Sequence, residues 1–212
     1  MTLRAKVEQL PTGTRGKPWS AQLNPTPRQA LIVTPTPIAG VLLIEPQVFS
    51  DERGFFQETW KADAFAAVGI PGPFVQDNHS RSLRGVLRGL HFQSPRAQGK
   101  LLRVSRGTVF DVVVDIRRDS PGFGTWFGTE LSGDNHKMLW SPPGMAHGFL
   151  TLSDEADFLY KCTDVQAPSD ERVIRWNDPD LAIAWPVRDV GRPRLSARDA
   201  AAPSLAEALG AR

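Results

Sequence analysis

Two histidines lie in segments whose residues could carry out proton transfer. His91 lies in the run LRGLHFQ at residues 87–93, and His147 follows a Pro-Pro-Gly turn at residues 142–144. Histidine is the usual base near neutral pH, and removal of a proton beside a ketone requires such a base. The alternative for each is a structural histidine whose hydrogen bonds are satisfied. The pattern favours acid–base chemistry on a carbonyl compound.

The same chemistry needs two further kinds of group. An enolate that forms after proton removal needs fixed positive charge, for which Arg88 and Lys100 are candidates. Returning the proton to the other face needs an acid opposite the base. Tyr160, the one tyrosine in the chain, is the candidate, with a tyrosine that only packs on its strand as the alternative.

The residue types do not favour a metal site. The spacing PxGxxH at residues 142–147 resembles half of the cupin signature. A metal-binding cupin usually has a His-x-His pair in the other half, where this chain has His91, Phe92 and Gln93. Because the chain has a single cysteine, Cys162, thiolate ligands cannot replace the missing histidine. We therefore expect no metal ion at this site.

Composition and charge favour a globular protein of one domain and argue against a nucleic-acid-binding or membrane-spanning protein. The chain has 212 residues, enough for one domain with a sizeable core, and a net charge of +2. Five basic residues and one acidic residue fall in residues 1–40, so the rest is nearly balanced and offers no basic surface for nucleic acid. No run of about 20 apolar residues is present, so we expect no membrane span. The single cysteine fits a reducing cytoplasm, which is the predicted location.

Short β-rich runs separated by Gly, Pro, Asp and Asn predict an all-β sandwich or barrel. Residues 1–39 are rich in Pro and basic residues and predict a leader that is disordered or forms an extended arm. Two short helices are expected, at residues 64–68 after an Asp63 cap and at residues 205–209 after a Ser204 cap. The predicted strands are residues 41–48, 55–60, 74–78, 86–92, 101–106, 108–116, 126–131, 136–140, 148–152, 157–163 and 172–176.

Five segments together resemble the dTDP-4-dehydrorhamnose 3,5-epimerases, in that family's order, over roughly residues 40–205. The segments are DERGFFQE at 51–58, GVLRGLHFQ at 85–93, VFDVVVDIR at 109–117, GMAHGF at 144–149 and WNDP at 176–179. The resemblance implies a cupin-like jelly-roll β-barrel at residues 40–190, with short peripheral helices near the C-terminus. It also implies that residues 191–212 fold back over the pocket and that the protein is a homodimer.

The implied reaction is epimerisation at carbons 3 and 5 of dTDP-4-dehydro-6-deoxy-D-glucose, which gives dTDP-4-dehydro-L-rhamnose without cofactor or metal. One alternative is a relative that epimerises a single carbon or isomerises the keto group of another deoxysugar nucleotide. A non-catalytic carbohydrate-binding cupin is an alternative of a different class. A base, an acid and fixed cations in one pocket argue against a protein that only binds.

The resemblance also assigns roles to individual residues. His91 matches the catalytic base, Tyr160 the proton donor, and Asp199 the carboxylate that pairs with the base. Gln166 stands where the family usually has an aromatic side chain that stacks on the thymine, which leaves the exact nucleotide sugar open. The implied substrate-binding residues are Arg53, Phe56, Glu58, Gln76, Asn78, Arg88, Lys100, His147, Glu171 and Arg198.

Two local predictions concern the strands that carry the histidines. Arg88 and His91 have opposite parity on a regular strand, so both reach one site only if Gly89 hosts a bulge; otherwise one of them contributes only from the rim. Alternation also places Asp111 and Asp115 on one face of a core-forming run. We expect Asp111 to accept a hydrogen bond from His147 and to orient it. A strand side that faces solvent is the alternative.

Overall fold

The computed structural model describes residues 31–210, so that most of the predicted leader lies outside the described residues. A single-turn 3₁₀ helix, Val187–Asp189, accompanies the α-helices and strands. The helices are α1 (Ala62–Ala67), α2 (Ala197–Ala200) and α3 (Leu205–Leu209). The strands are β1 (Ile32–Pro35), β2 (Leu42–Glu45), β3 (Val48–Asp51), β4 (Gly54–Gln57), β5 (Gln76–Leu83), β6 (Leu87–Gln93), β7 (Lys100–Arg106), β8 (Thr108–Asp115), β9 (Trp126–Ser132), β10 (Met138–Ser141), β11 (Met145–Thr151), β12 (Glu155–Cys162) and β13 (Glu171–Val173).

The strands form two antiparallel sheets and a separate hairpin. Sheet I has the order β1-β2-β10-β7-β12-β5, and sheet II has the order β13-β6-β11-β8-β9. Strands β3 and β4 pair only with each other. Neighbours in each sheet are mostly distant in sequence, as in a jelly roll. The predicted all-β jelly roll, with short helices near the C-terminus, is confirmed.

The core lies between the two sheets, where alternate side chains of each strand meet. Leu102 and Phe158 of sheet I pack against Val113 and Phe149 of sheet II. Strand β11 is buried along its whole length because both of its faces are covered. Phe149 points toward sheet I, whereas Leu150 packs in a second cluster outside sheet II.

The outer faces are covered by different segments. Phe65 of α1 and Ile70 pack against the outer face of sheet I. Residues after β13, including Leu181, Trp185 and Leu205, cover the outer face of sheet II. This covering brings the C-terminal helices back beside β6, which carries His91. Within residues 31–210, no helix is long and apolar enough to cross a membrane.

All eleven predicted strands overlap observed ones, with two informative differences. The run 41–48 divides at Pro46, which lacks a backbone donor, so β2 ends at Glu45 and β3 starts at Val48. Strand β1 lies inside the segment assigned to the leader and pairs with β2. Its pairing was not predicted because three of its four residues are exposed and one is proline.

Of the two predicted helix caps, one was wrong and one is confirmed. The Asp63 cap was wrong, because α1 begins earlier, at Ala62, and Lys61 occupies the N-cap without a side-chain bond. The Ser204 cap is confirmed: Ser204 and Glu207 form a reciprocal capping box at the start of α3. Helix α2 was not predicted, since four residues are too few to show a helical period.

Candidate active site

A cavity of about 240 Å³ opens between the two sheets. Strands β5, β7 and β12 form one wall, β6, β11 and β13 form the other, and residues near α2 close part of the mouth. The cavity therefore gathers residues that are far apart in the sequence. The predicted residues that line it are Gln76, Asn78, Arg88, His91, Lys100, His147, Tyr160, Glu171 and Arg198.

His91 forms a hydrogen-bonded pair with Asp199. The His91 Nε2 atom lies 2.6 Å from Asp199 Oδ1, and the Asp199 backbone N–H donates to the capping Ser196 hydroxyl at 3.0 Å. Burial alone would raise the pKa of Asp199, but the hydrogen bond and charge of His91, together with the Ser196 bond, hold it below its ordinary value. The carboxylate thus stays ionised beside the imidazole, whose side chain remains 40% exposed to the cavity.

A bulge at Gly89 brings Arg88 and His91 to the same cavity, which confirms the predicted irregularity. His147 of β11 pairs with His91 of β6, whereas Phe149 pairs with Arg88, so β6 has one extra residue in this interval. Gly89 has a φ of +127°, and a Cβ there would lie 2.6 Å from Gly148 Cα. No larger residue fits this close approach of two backbones.

Tyr160 and Lys100 face the dyad from the opposite sheet. They lie on the adjacent strands β12 and β7, and Lys100 Nζ is 6.0 Å from the Tyr160 ring centroid. Burial raises the pKa of Tyr160, so the phenol remains protonated at neutral pH. Burial lowers the pKa of Lys100, because a desolvated ammonium is less stable than a hydrated one.

The predicted hydrogen bond between His147 and Asp111 is present. His147 Nε2 lies 2.8 Å from Asp111 Oδ2, and the two side chains are 10% and 0% exposed. The His147 ring also stacks on Phe158 at a centroid distance of 5.7 Å. Asp115, on the same face of β8, does not join this pair and instead binds Arg117.

The rim of the cavity carries a network of polar side chains. Glu171 accepts hydrogen bonds from the side chains of Gln166 and Arg198. Gln76 Oε1 accepts from the Gln166 backbone N–H at 2.7 Å, and Gln76 Nε2 donates to Asn78 Oδ1 at 2.9 Å. Burial would raise the pKa of Glu171, but the bonds from Arg198 and Gln166 hold it below its ordinary value.

Three predicted substrate-binding residues do not line the cavity. Arg53, Phe56 and Glu58 lie on or beside the β3–β4 hairpin. The Arg53 side chain is 84% exposed and pairs with Asp51, and Phe56 is 63% exposed. A single chain therefore does not bring these residues to the dyad.

Several cavity residues were not predicted. Strand alternation could have found three of them, because Ser80 follows Gln76 and Asn78 on β5, and Phe158 and Cys162 flank Tyr160 on β12. Gln98 lies outside any strand, and no sequence signal marks it. The unpredicted lining residues are Ser80, Phe92, Gln93, Gln98, Phe149, Phe158, Cys162 and Arg172.

Residues 31–210 contain no group of three or more His, Cys, Asp or Glu side chains placed to hold a metal ion. Each cavity histidine instead pairs with one aspartate. The prediction that activity requires no metal stays a prediction, and a chelation experiment below tests it.

Known proteins are similar to this chain in both sequence and fold. The model of the family described as dTDP-4-dehydrorhamnose 3,5-epimerase matches residues 35–207. The Pseudomonas aeruginosa dTDP-4-dehydrorhamnose 3,5-epimerase is 56% identical over 172 residues, covering 81% of this chain and 94% of the relative. The Salmonella typhimurium enzyme of the same name is 54% identical over 181 residues, covering 84% and 98%.

A solved structure extends the similarity to three dimensions. The 3,5-epimerase from Legionella pneumophila, in complex with dTDP-4-keto-L-rhamnose, superimposes with a TM-score of 0.80 at 51% identity, covering 82% of this chain and 93% of that one. The family model covers most of the chain, and the relatives match it at about half of the aligned positions or more. This chain belongs to the dTDP-4-dehydrorhamnose 3,5-epimerase family.

Proposed function

We propose that this protein epimerises carbons 3 and 5 of dTDP-4-dehydro-6-deoxy-D-glucose to give dTDP-4-dehydro-L-rhamnose. One observation carries the proposal: the His91–Asp199 pair and the Tyr160 phenol stand on opposite walls of one cavity. Inversion of a carbon next to a ketone requires removal of a proton from one face and delivery to the other. An imidazole base paired with an ionised carboxylate, facing a protonated phenol, supplies both halves of that exchange.

Each group has a distinct part in the reaction. His91 removes the proton from carbon 3 or 5, and the Asp199 carboxylate stabilises the imidazolium that forms. The resulting enolate places negative charge on the oxygen at carbon 4, where the half-buried Lys100 side chain provides compensating positive charge. Tyr160 then delivers a proton from the opposite side. Solvent restores both groups before the second carbon reacts.

Arg88 and the polar side chains at the cavity rim are suited to bind the nucleotide part of the substrate. The Arg88 side chain is held by a 2.9 Å hydrogen bond from its Nε to Ser82 Oγ, which leaves the guanidinium at the cavity wall. Guanidinium groups bind phosphate oxygens through paired hydrogen bonds. We assign Arg88, Arg198 and the amides of Gln76 and Asn78 to the nucleotide part of the substrate.

The β3–β4 hairpin supports a homodimer with shared sites. Phe49, Phe55 and Phe56 are each at least half exposed on this hairpin, an unusual density of apolar surface on two short strands. In the proposed dimer, Arg53, Phe56 and Glu58 of each subunit complete the partner's cavity. This arrangement explains why residues implied in substrate binding lie away from the dyad of their own chain.

A mixing experiment tests the shared site. His91→Ala and Arg53→Ala variants should each be inactive alone, since each lacks one part of every site. A dimer with one subunit of each kind contains one complete site, so co-expression should restore activity. If the mixed protein stays as inactive as either variant, the hairpin does not serve the partner's cavity.

Solvent exchange tests the reaction itself. We expect incubation with dTDP-4-dehydro-6-deoxyglucose in deuterated water to place one deuteron on carbon 3 and one on carbon 5, with inversion at both. Deuterium at a single carbon would identify a mono-epimerase, and conversion to an isomeric ketone would identify a ketoisomerase. If neither carbon exchanges its proton with solvent, the protein is not an epimerase of this substrate and the proposed function is wrong.

A further inference from the structure

The loop at residues 163–170 connects the two walls of the cavity. It leaves β12 of sheet I and enters β13 of sheet II, and Gln166 in this loop bonds to both sides. Its backbone N–H donates to Gln76 Oε1 on β5 at 2.7 Å, and its side-chain amide donates to Glu171 on β13. Gln166 therefore links Gln76 of sheet I to Glu171 of sheet II.

Glu171 continues this connection to the catalytic dyad. One carboxylate oxygen of Glu171 accepts from Gln166, and the other accepts from Arg198. Arg198 immediately precedes Asp199 in α2, a helix of four residues. A helix this short is not stable alone, because one turn forms too few hydrogen bonds to offset its nucleation. Its orientation therefore depends on its bonds to the rest of the molecule, which include its side-chain bonds and the backbone bonds of the segments that flank it.

Two kinds of bond hold α2 in place. Ser196 caps its start, and two neighbouring side chains join it to sheet II: Arg198 to Glu171 and Asp199 to His91. If the Arg198 bond weakens, α2 loses one of its two side-chain links to sheet II, and the Asp199 carboxylate is then held by its bonds to His91, Ser196 and Gly89. Catalysis is sensitive to such displacements, since a 1 Å error in position costs about a hundredfold in rate.

We propose that Gln166 is a positioning residue that acts through Glu171 and Arg198 to hold Asp199 against the catalytic base. This inference rests on the proposed function, because it assigns Gln166 a part in that reaction. The Gln166 amide fixes one side of the Glu171 carboxylate, so that the other side meets Arg198. A phenylalanine at position 166 would have no donor for this bond.

The charges around Glu171 give the proposal a measurable signature. Arg198 on α2, His91 on β6, and Lys100 and Tyr160 on the opposite wall all interact electrostatically with this carboxylate. The Gln166 hydrogen bond helps to lower the pKa of Glu171. A group with a depressed pKa keeps its ion pair until the pH falls through that lowered value. Without the Gln166 donor, the Glu171–Arg198 pair should be lost at a higher pH.

Gln166→Met removes the amide while nearly preserving length and volume. We expect kcat to fall by roughly three- to tenfold, the effect of losing one exposed hydrogen bond. The acidic limb of the pH profile of kcat should move to higher pH. Gln166→Glu should lower kcat further, because a second carboxylate would repel Glu171.

Arg96→Met is the matched control. Arg96 binds Asp170 at 2.8 Å and anchors the same loop, but it neither lines the cavity nor contacts Glu171. This variant should retain the wild-type pH profile. If it shifts the profile as Gln166→Met does, the effect comes from a looser loop and the positioning role is wrong.

The remaining outcomes separate this inference from the proposed function. A Gln166→Met variant that raises KM but keeps kcat and the pH profile would make Gln166 a substrate contact and overturn the inference. Wild-type protein that exchanges no substrate protons would overturn the proposed function instead. Active wild-type enzyme with a lower kcat and a shifted acidic limb in Gln166→Met supports both.

Discussion

The cavity contains two histidine–aspartate pairs that differ in construction. Asp111 and His147 lie on the adjacent strands β8 and β11 of one sheet, and both are buried. Asp199 instead comes from α2, 108 residues after His91, whose side chain stays 40% exposed. The first pair is part of the core, whereas the second is assembled from the sheet and a returning C-terminal segment.

This difference indicates which pair performs proton transfer. A base must reach the substrate and exchange its proton with solvent, so it needs an exposed ring edge. The buried pair has little access to solvent, and its ring stacks on Phe158, so it suits a fixed polar wall that binds substrate. We therefore propose that the two pairs have different roles because the exposure of their histidines differs.

The largest expected effect comes from removing the exposed histidine. His91→Ala should abolish deuterium exchange at both carbons, because one base serves both. Near-ultraviolet circular dichroism should show that the core is intact, since the His91 side chain lines the cavity and is not part of the core. Residual exchange at one carbon would show that a second base acts there.

Asp199→Asn should have the next largest effect on activity. Loss of the carboxylate removes the charge that stabilises the imidazolium, and we expect kcat to fall by roughly 10²–10⁴, the range of general acid–base contributions. Steady-state kinetics with substrate in deuterated water measures this change. A kcat within a factor of about two of the wild type would show that His91 needs no ionised partner.

Asp111→Asn should affect stability more than turnover. The substitution replaces a buried charged partner of His147, and an imperfectly satisfied buried group costs roughly 1–3 kcal/mol. Urea unfolding should show this loss, while kcat falls far less than in Asp199→Asn. The comparison would fail if Asp111→Asn matched Asp199→Asn in kcat and kept wild-type stability.

The smallest expected effect is that of chelation. Neither pair has further ligands for a metal among the described residues, and the sequence already lacks the second histidine of a metal-binding cupin. Exhaustive dialysis against EDTA should leave the exchange rate unchanged. Loss of activity that a divalent ion restores would contradict the cofactor-free account of both pairs.

The two pairs were predictable from the sequence to different degrees. Strand alternation pointed to Asp111 as an inward partner for His147, because both lie on regular strands of one sheet. Parity also located the Gly89 bulge, since Arg88 and His91 cannot otherwise share a face. The pairing of His91 with Asp199 came only from family resemblance, because no local pattern predicts where a four-residue helix returns.

Prediction of the rest of the fold from the sequence was limited in the same way, because it also depended on local patterns. Apolar runs predicted the buried strands well, because their residues alternate or are continuously apolar. Strand β1 was not predicted, and β3 was predicted only at its first residue, Val48, because mostly exposed residues carry little periodic signal. The separation of Arg53 from the cavity of its own chain was also unpredictable, because local sequence patterns do not show where a hairpin packs relative to a distant pocket.

The most direct test of the central claim is the stereochemical outcome with Tyr160→Phe. In the proposed reaction, the His91–Asp199 pair on one wall removes the proton and Tyr160 on the other wall returns it. In deuterated water, Tyr160→Phe should therefore introduce deuterium at carbons 3 and 5 with little inverted product. If this variant inverts both carbons at the wild-type rate, Tyr160 is not the proton donor, and the proposal that the two walls remove and return the proton is wrong.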